Sequence, residues 1–182
     1  MTEIRFVGVG GQGAILASEI LCVAKVRAGG HGMKAATYSS QVRGGSTKVD
    51  VILSDEEIIY PYADDGNIDL MVAVANVSYQ NFKAGIKKGG VIVADPNLLN
   101  ISDEDREKYQ IYEVPIISLA KNEVGDIVTQ STLALGIVVA LTGVVDKELA
   151  KEVMLEFVPQ KSKWLNLRAY ELGVKVGMSL GV

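Results

Sequence analysis

Cysteine and histidine are almost absent from this sequence of 182 residues, which contains one of each, Cys22 and His31. A single cysteine excludes an internal disulfide bond and an iron–sulfur cluster held by the cysteines of this chain alone. A single histidine in a glycine-rich turn has no second histidine with which to complete a metal-ligand set or a proton relay. We therefore predict no metal site in this chain and a reducing compartment, the cytoplasm, as its location.

Long apolar runs and a positive net charge are lacking as well. No apolar stretch approaches the roughly 18 residues of a membrane-spanning helix, and the first residues lack the pattern of a secretory signal. The net charge of −4 argues against a nucleic-acid-binding surface. Because 48% of the residues are apolar, a chain of this length can bury a core of its own. We expect a single domain over residues 1–182 that binds neither membranes nor nucleic acids.

A complete set of catalytic side chains is also missing. Tyr79 and Lys83 have the Y-x-x-x-K spacing of short-chain dehydrogenases, but the serine that this pair needs upstream is absent. Cys22 lies in an apolar helix, where a thiol is usually inert. The acidic run at 103–105 is typical of the start of a helix rather than of a metal site. The sequence thus predicts no catalytic residues and indicates a binding module whose chemistry depends on other chains.

Short apolar strands alternate with helices along the chain. Strands are predicted near residues 4–9, 33–38, 47–53, 70–75, 91–94 and 112–116, and helices over 14–26, 78–87, 118–124, 129–141, 146–157 and 164–178. Continuous apolar strands are typical of a parallel sheet that is covered on both faces. The pattern predicts an α/β fold: a three-layer, doubly wound, mainly parallel (Rossmann-like) sheet with C-terminal helices.

A glycine-rich loop joins the first strand to the first helix. Its glycines follow the G-x-G-x-x-G spacing of phosphate-binding βαβ units, in which the backbone N–H groups at a helix N-terminus bind an anion. The predicted binding residues are Gly8, Gly10, Gly11, Gln12 and Gly13. The alternative is that Gly10 and Gly13 only allow the helix and the strand to pack closely.

A second glycine loop follows the second strand. That strand ends without the carboxylate of an NAD site, although Arg43 could bind the 2′-phosphate of NADP. The loop supplies Gln41, Arg43, Gly44 and Gly45, of which Arg43 offers a planar fork suited to phosphate or carboxylate. The alternative is a tight turn with a solvated arginine. Because both loops follow strands that should run in parallel, we expect them at the same edge of the sheet, where they would form an anion-binding or partner-binding site.

Four segments together resemble a known family. They occur in the order 6–13, 38–45, 52–55 and 60–61. The chain resembles the gamma subunit of 2-oxoacid:ferredoxin oxidoreductases from residue 4 to about residue 178. It looks most similar to the short, free-standing gamma chain of the 2-oxoglutarate enzymes, with the pyruvate and indolepyruvate types as close relatives.

The resemblance implies a complex that decarboxylates a 2-oxoacid on thiamine diphosphate, transfers the acyl group to coenzyme A and reduces ferredoxin. Thiamine diphosphate and magnesium are then expected on alpha and beta subunits, and iron–sulfur clusters on beta or on a delta subunit. The isolated chain would be inactive and could form a homodimer. The positions that match the family's coenzyme A region are the two loops, at 10–13 and 41–45. Many family members have a glutamate where Gln41 stands and an asparagine near Ser131.

Two other interpretations remain open at this point. One is a stand-alone NADP-dependent or nucleotide-binding Rossmann protein. The other is a structural linker, in which both glycine loops pack against the alpha subunit rather than a ligand. Apolar residues that could anchor a partner, or form an ordinary hydrophobic edge of the domain, are Ile58, Ile59, Tyr60 and Tyr62.

Overall fold

A six-stranded sheet forms the middle layer of the computed structural model, which describes residues 1–10, 13–38 and 45–181. In chain order the strands are β1 (Thr2–Val9), β2 (His31–Tyr38), β3 (Ser46–Ser54), β4 (Ile68–Ala73), β5 (Ile86–Ala94) and β6 (Gln110–Glu113). Their order across the sheet is β2-β3-β1-β4-β5-β6. Strands β1, β4, β5 and β6 run parallel, whereas β3 is antiparallel to both of its neighbours, β1 and β2. The sheet is therefore mainly parallel, as predicted, with one reversed strand.

Helices cover both faces of this sheet. Within the described residues they are α1 (Ala14–Arg27), α2 (Asn76–Phe82), α3 (Asp103–Lys108), α4 (Ile116–Leu119), α5 (Gln130–Thr142), α6 (Lys147–Phe157) and α7 (Lys163–Leu180). Because successive residues of a strand point to opposite faces, Ile4 and Phe6 of β1 pack in one core with α1, α5, α6 and α7, while Val7 packs in a second core with α2. The predicted three-layer α/β fold is confirmed. None of these helices is long and apolar enough to cross a bilayer.

The connections leave the sheet on opposite faces at β1 and β4. The β1–α1–β2 connection crosses the first face, where Ile20 of α1 is fully buried. The β4–α2–β5 connection crosses the other face, where Tyr79 of α2 is fully buried. Adjacent parallel strands whose connections diverge in this way leave a crevice at their carboxyl ends, and open α/β sheets bind their ligands there. The fold therefore points to the carboxyl ends of β1 and β4 as the place of a ligand site.

Two predicted element boundaries were wrong, each for a local reason. The last strand ends at Glu113 rather than at 116, because Pro115 has no N–H and lies instead at the N-cap of α4. The helix predicted over 78–87 ends at Phe82, since the chain is already paired as a strand at Ile86, opposite Ile68 of β4. Strand β5 consequently begins five residues before its apolar run.

Two helices begin at side-chain caps. The Ser102 hydroxyl accepts a hydrogen bond from the backbone N–H of Asp105 at 3.1 Å, at the start of α3. The Asp146 carboxylate accepts from the N–H groups of Glu148 and Leu149 at 2.9 and 3.0 Å, at the start of α6. Each cap supplies an acceptor for N–H groups that have no partner inside the helix.

Candidate functional site

Both glycine loops leave the sheet at the same edge. Val9, at the carboxyl end of β1, pairs with Ser46, and Tyr38, at the carboxyl end of β2, pairs with the adjacent Thr47. The loop after β1 and the connection from β2 to β3 therefore start side by side, as the sequence predicted. Five of the predicted site residues lie outside the described residues: Gly11, Gln12, Gln41, Arg43 and Gly44. The structure describes the other four, Gly8, Gly10, Gly13 and Gly45, and buries Gly45 immediately before β3.

A small hollow lies at this edge, between the carboxyl ends of β1 and β4. Its described walls come from β1, the start of α1, the end of β4 and the start of α5: Phe6, Val7, Gly8, Gly13, Ala14, Ala17, Val72, Val74, Gln130, Ser131 and Ala134. Its volume is about 20 Å³, which is room for roughly one water molecule. The hollow can therefore accept one terminal group of a ligand, whose remaining atoms would lie outside it.

Gly13 has a packing role that the motif alone does not reveal. Its φ of +77° lies in the left-handed region, which glycine adopts without the strain of a side chain. A Cβ atom added there would lie 2.6 Å from the Cβ and 2.7 Å from the Oγ of Ser131. Glycine at this position thus lets the start of α1 approach the start of α5. The close contact at Gly13 is therefore between two helices, whereas the alternative interpretation had placed it between the helix and the strand.

Gly8 and Gly10 have different surroundings from Gly13. The carbonyl of Gly8 accepts a hydrogen bond from the buried Ser78 hydroxyl, which ties the end of β1 to α2. Gly10 is exposed, and no described atom lies within 4 Å of a Cβ atom added there. Packing within the described part of the chain therefore does not require glycine at position 10. A ligand that must approach the backbone closely would require it.

Two helix N-termini meet at the hollow. Helix α1 begins at Ala14 and α5 begins at Gln130, and both residues line it. Neither helix has a side-chain cap or an acidic residue in its first turn among the described residues. The helix dipole gives each N-terminus a partial positive charge, worth typically about 0.3–1 kcal/mol toward an anion. A short 3-10 turn, Ile127–Thr129, leads directly into α5, and the N–H of Gln130 already donates to the carbonyl of Ile127. The arrangement favours a negatively charged ligand group.

Gln130 contributes an acceptor that the sequence analysis missed. Its side chain is 92% buried, since 8% remains exposed, and its Oε1 has no hydrogen-bond partner among the residues that the structure describes. A buried acceptor left unpaired costs about 1–3 kcal/mol, so a donor group of a ligand would bind here with a gain. The sequence signal that could have found it is the polar start of this helix, Gln130-Ser131-Thr132, ahead of the apolar run Leu133 to Leu141.

The remaining reactive side chains are engaged in packing. The Tyr79 hydroxyl donates to Asp105 at 2.8 Å, and the Lys83 ammonium donates to the same carboxylate at 2.7 Å, which joins α2 to α3. Burial raises the pKa of the Cys22 thiol to about 11, so the thiol stays protonated at neutral pH. Over residues 1–10, 13–38 and 45–181, no group of three or more histidine, cysteine, aspartate or glutamate side chains could hold a metal ion.

The fold and the position of the hollow define a doubly wound α/β domain with a ligand-type crevice where its connections diverge. The chain belongs to the pyruvate ferredoxin/flavodoxin oxidoreductase family, whose model matches residues 3–176. The resemblance inferred from the four segments is thereby confirmed.

Individual relatives match over nearly their whole length. The 2-oxoglutarate synthase subunit KorC of Methanocaldococcus jannaschii is 31% identical over 179 residues, which cover 98% of this chain and 95% of that protein. The solved gamma subunit of a keto/oxoacid ferredoxin oxidoreductase from Geobacter sulfurreducens is 35% identical, with a TM-score of 0.83 over 98% of this chain and 99% of that one. These relatives are subunits of 2-oxoacid:ferredoxin oxidoreductases, and a stand-alone NADP-dependent enzyme is not favoured.

A third relative was solved with ligands. The 2-oxoglutarate:ferredoxin oxidoreductase from Magnetococcus marinus, with 2-oxoglutarate, coenzyme A and succinyl-CoA bound, is 25% identical and has a TM-score of 0.84. The similarity covers 98% of this chain but 31% of that one. The fold of this chain therefore also occurs as one part of a longer oxidoreductase polypeptide.

Proposed function

We propose that this chain is the gamma subunit of a complex that oxidatively decarboxylates 2-oxoglutarate to its acyl-CoA and reduces ferredoxin. The observation that carries the proposal is the end-to-end match to a 2-oxoglutarate synthase subunit and to a solved gamma subunit. In this proposal residues 1–182 form one gamma-type domain, which acts in the cytoplasm as the single cysteine suggests. The partner subunits are alpha and beta, with a delta subunit where the complex has one, and they carry thiamine diphosphate, magnesium and the iron–sulfur clusters.

In this complex, the site between β1, β4, α1 and α5 helps to bind coenzyme A. The uncapped N-terminus of α1 provides N–H groups for its phosphates, the dipole of α5 adds a partial positive charge, and Arg43 in the second loop provides a further cation. The buried Oε1 of Gln130 would accept a hydrogen bond from an amide or amino group of the same ligand. When bound, coenzyme A supplies the thiol that accepts the acyl group. The residues of this chain bind and orient it.

The activity itself tests the proposal. We expect this chain, assembled with the alpha and beta subunits, to support ferredoxin reduction that depends on both 2-oxoglutarate and coenzyme A. The chain alone should show no turnover, because it lacks a catalytic set of its own. The measurement is ferredoxin reduction at 2-oxoglutarate, pyruvate and indolepyruvate concentrations from micromolar to millimolar. A higher kcat/KM for pyruvate or indolepyruvate would overturn the assignment to 2-oxoglutarate, and turnover by the isolated chain would overturn the subunit role.

The role of the second loop in binding coenzyme A has its own test. We expect Arg43→Ala to raise the KM for coenzyme A of the assembled complex by roughly tenfold or more, because a charge-assisted hydrogen bond to a phosphate is worth about 1.5–3 kcal/mol. The KM for 2-oxoglutarate should stay unchanged. Arg27→Ala is the matched control, since Arg27 pairs with Glu156 at 2.6 Å on the exposed side of α1 and α6. If Arg43→Ala and Gly11→Val both leave the KM for coenzyme A at its wild-type value, the loops do not bind this ligand.

A further inference from the structure

An acidic cavity lies at the amino end of β1, at the edge of the sheet opposite the glycine loops. Glu3 and Ile52 line it from the sheet, and the segment after β3 lines it from outside, from Glu57 to Asp64. The cavity has a volume of about 280 Å³, which is room for a long side chain. We call it the Glu3 pocket. No lysine or arginine side chain is among its described lining residues.

The floor of this pocket carries a carboxylate without a counter-ion. Glu3 is only 6% exposed, and its Oε2 has no hydrogen-bond partner within the described part of the chain. Burial raises the pKa of Glu3, and the charges of Asp69, Asp64 and Asp50 raise it further, against the smaller effect of the Asp64 N–H. A buried carboxylate is stabilised either by taking up a proton or by pairing with a cation, and the open pocket beside Glu3 leaves room for a cation.

The neighbouring arginine and lysine side chains already pair with other carboxylates. The Arg5 guanidinium binds Asp50 through its Nε at 2.6 Å, and the Lys87 ammonium binds Asp69. Neither side chain lines the Glu3 pocket. Met1, which carries the N-terminal ammonium, also lines the pocket, yet the Glu3 Oε2 has no partner within the described part of the chain. The Glu3 carboxylate can therefore pair with a cation from another molecule.

The mouth of the pocket has the composition of a protein interface. Ile59 is 91% exposed, and Tyr60 and Tyr62 are more than half exposed, with their rings edge to face at a centroid distance of 5.8 Å. Exposed apolar and tyrosine side chains grouped at the edge of a pocket are typical of interaction surfaces. Tyrosine rings can also pack against the guanidinium or ammonium group of a partner.

We infer that the Glu3 pocket receives a lysine or arginine side chain from another subunit of the same complex, which rests on the subunit role proposed above. The cation pairs with the Glu3 carboxylate, and the apolar residues that flank it in the partner pack on Ile59, Tyr60 and Tyr62. A second copy of this chain does not fit, because a two-fold contact through this surface would bring two acidic pockets together without a cation.

Glu3→Gln separates this role from a merely structural one. The variant removes an unpaired charge, so the isolated chain should melt at the same temperature as wild type or higher. In the complex with alpha and beta subunits, the same change should weaken the binding of this chain at least tenfold, because the partner's cation loses its carboxylate. The exposed Glu171→Gln is the matched control and should change binding by less than twofold. An unchanged dissociation constant for Glu3→Gln would overturn the inference, whether or not the isolated chain is destabilised.

The partner residue can be found by cross-linking. A photoreactive p-benzoylphenylalanine in place of Tyr60, in the assembled complex, should cross-link to an alpha or beta peptide that contains lysine or arginine. Replacing that basic residue by methionine should weaken assembly as much as Glu3→Gln does, and both changes together should weaken it little further. A cross-link to a second copy of this chain, to a peptide without a basic residue, or to no peptide would overturn the inference. If the wild-type chain does not assemble with the alpha and beta subunits, the proposed function is wrong as well. If it assembles and Glu3→Gln leaves the dissociation constant unchanged, only the inference about the Glu3 pocket is wrong.

Discussion

Asp50→Ala is expected to lower the free energy of unfolding by about 3–5 kcal/mol, because it removes the buried partner of the Arg5 guanidinium and leaves only Asp65, whose side chain is 73% exposed. Arg5 is 1% exposed, and its Nε and Nη2 atoms donate to the two oxygens of Asp50 at 2.6 and 3.0 Å. Its Nη1 donates to the carbonyl of Phe82 at 3.1 Å. Burial by itself lowers the pKa of Arg5, but the hydrogen bonds and charges of Asp50 and Asp65 raise it above the ordinary value. The arginine therefore stays charged, and in the variant its Nη2 keeps only the solvent-exposed Asp65, at 2.9 Å.

The measurement is a thermal and urea unfolding series on the isolated chain. For a domain of this size the expected loss corresponds to a melting temperature lower by roughly 6–20 °C. Glu156→Ala is the matched control, since it breaks the exposed Arg27–Glu156 pair, and exposed pairs contribute about 0–1 kcal/mol. The double variant with Arg5→Met and Asp50→Leu should recover most of the lost stability, because apolar residues of similar volume replace a buried ion pair at little cost. A loss no greater than that of Glu156→Ala would show that water reaches Arg5.

The Arg5–Asp50 pair is a feature that could not be predicted from the sequence. Alternating apolar strands and helices were enough to predict a mainly parallel α/β fold, because each element carries its own pattern. The contact between Arg5 and Asp50 depends instead on β3, which reverses direction and pairs with β1 so that these two residues stand opposite each other. The position and direction of β3, between β1 and β2 and antiparallel to both, depend on tertiary packing. No local pattern in residues 46–54 distinguishes such a strand from another parallel strand.

The candidate site also has one part that the sequence predicted and one part that only the structure revealed. The glycine spacing after β1 predicted the loop and its edge of the sheet, since strand and helix lie next to each other in sequence. Gln130 reaches the same hollow from more than a hundred residues away, and only the packing of α5 beside α1 brings it there. Its neighbour Ser131 had been noted through the family resemblance alone. Residues that meet across the fold, rather than along the chain, were the part that the sequence did not reveal.

Gly13→Ala should have the largest effect at the candidate site, because two costs combine at one residue. A side chain at a φ of +77° costs about 1–2 kcal/mol, and overpacking against Ser131 costs about 1–3 kcal/mol more. We expect the isolated chain to lose about 2–5 kcal/mol of stability, and the assembled complex to show a higher KM for coenzyme A as α1 moves away from α5. Adding Ser131→Gly removes the two short contacts and should restore the overpacking part of the stability, measured by urea unfolding.

Gly10→Val distinguishes ligand binding from packing at the same loop. No described atom lies within 4 Å of a Cβ atom at position 10, so this variant should unfold at the wild-type urea concentration. If coenzyme A approaches the backbone there, the valine side chain will hold it away and the KM for coenzyme A will rise at least tenfold. A stable Gly10→Val complex with an unchanged KM, beside a destabilised Gly13→Ala chain, would show that Gly13 serves the contact between α1 and α5 and that coenzyme A binds elsewhere in the complex.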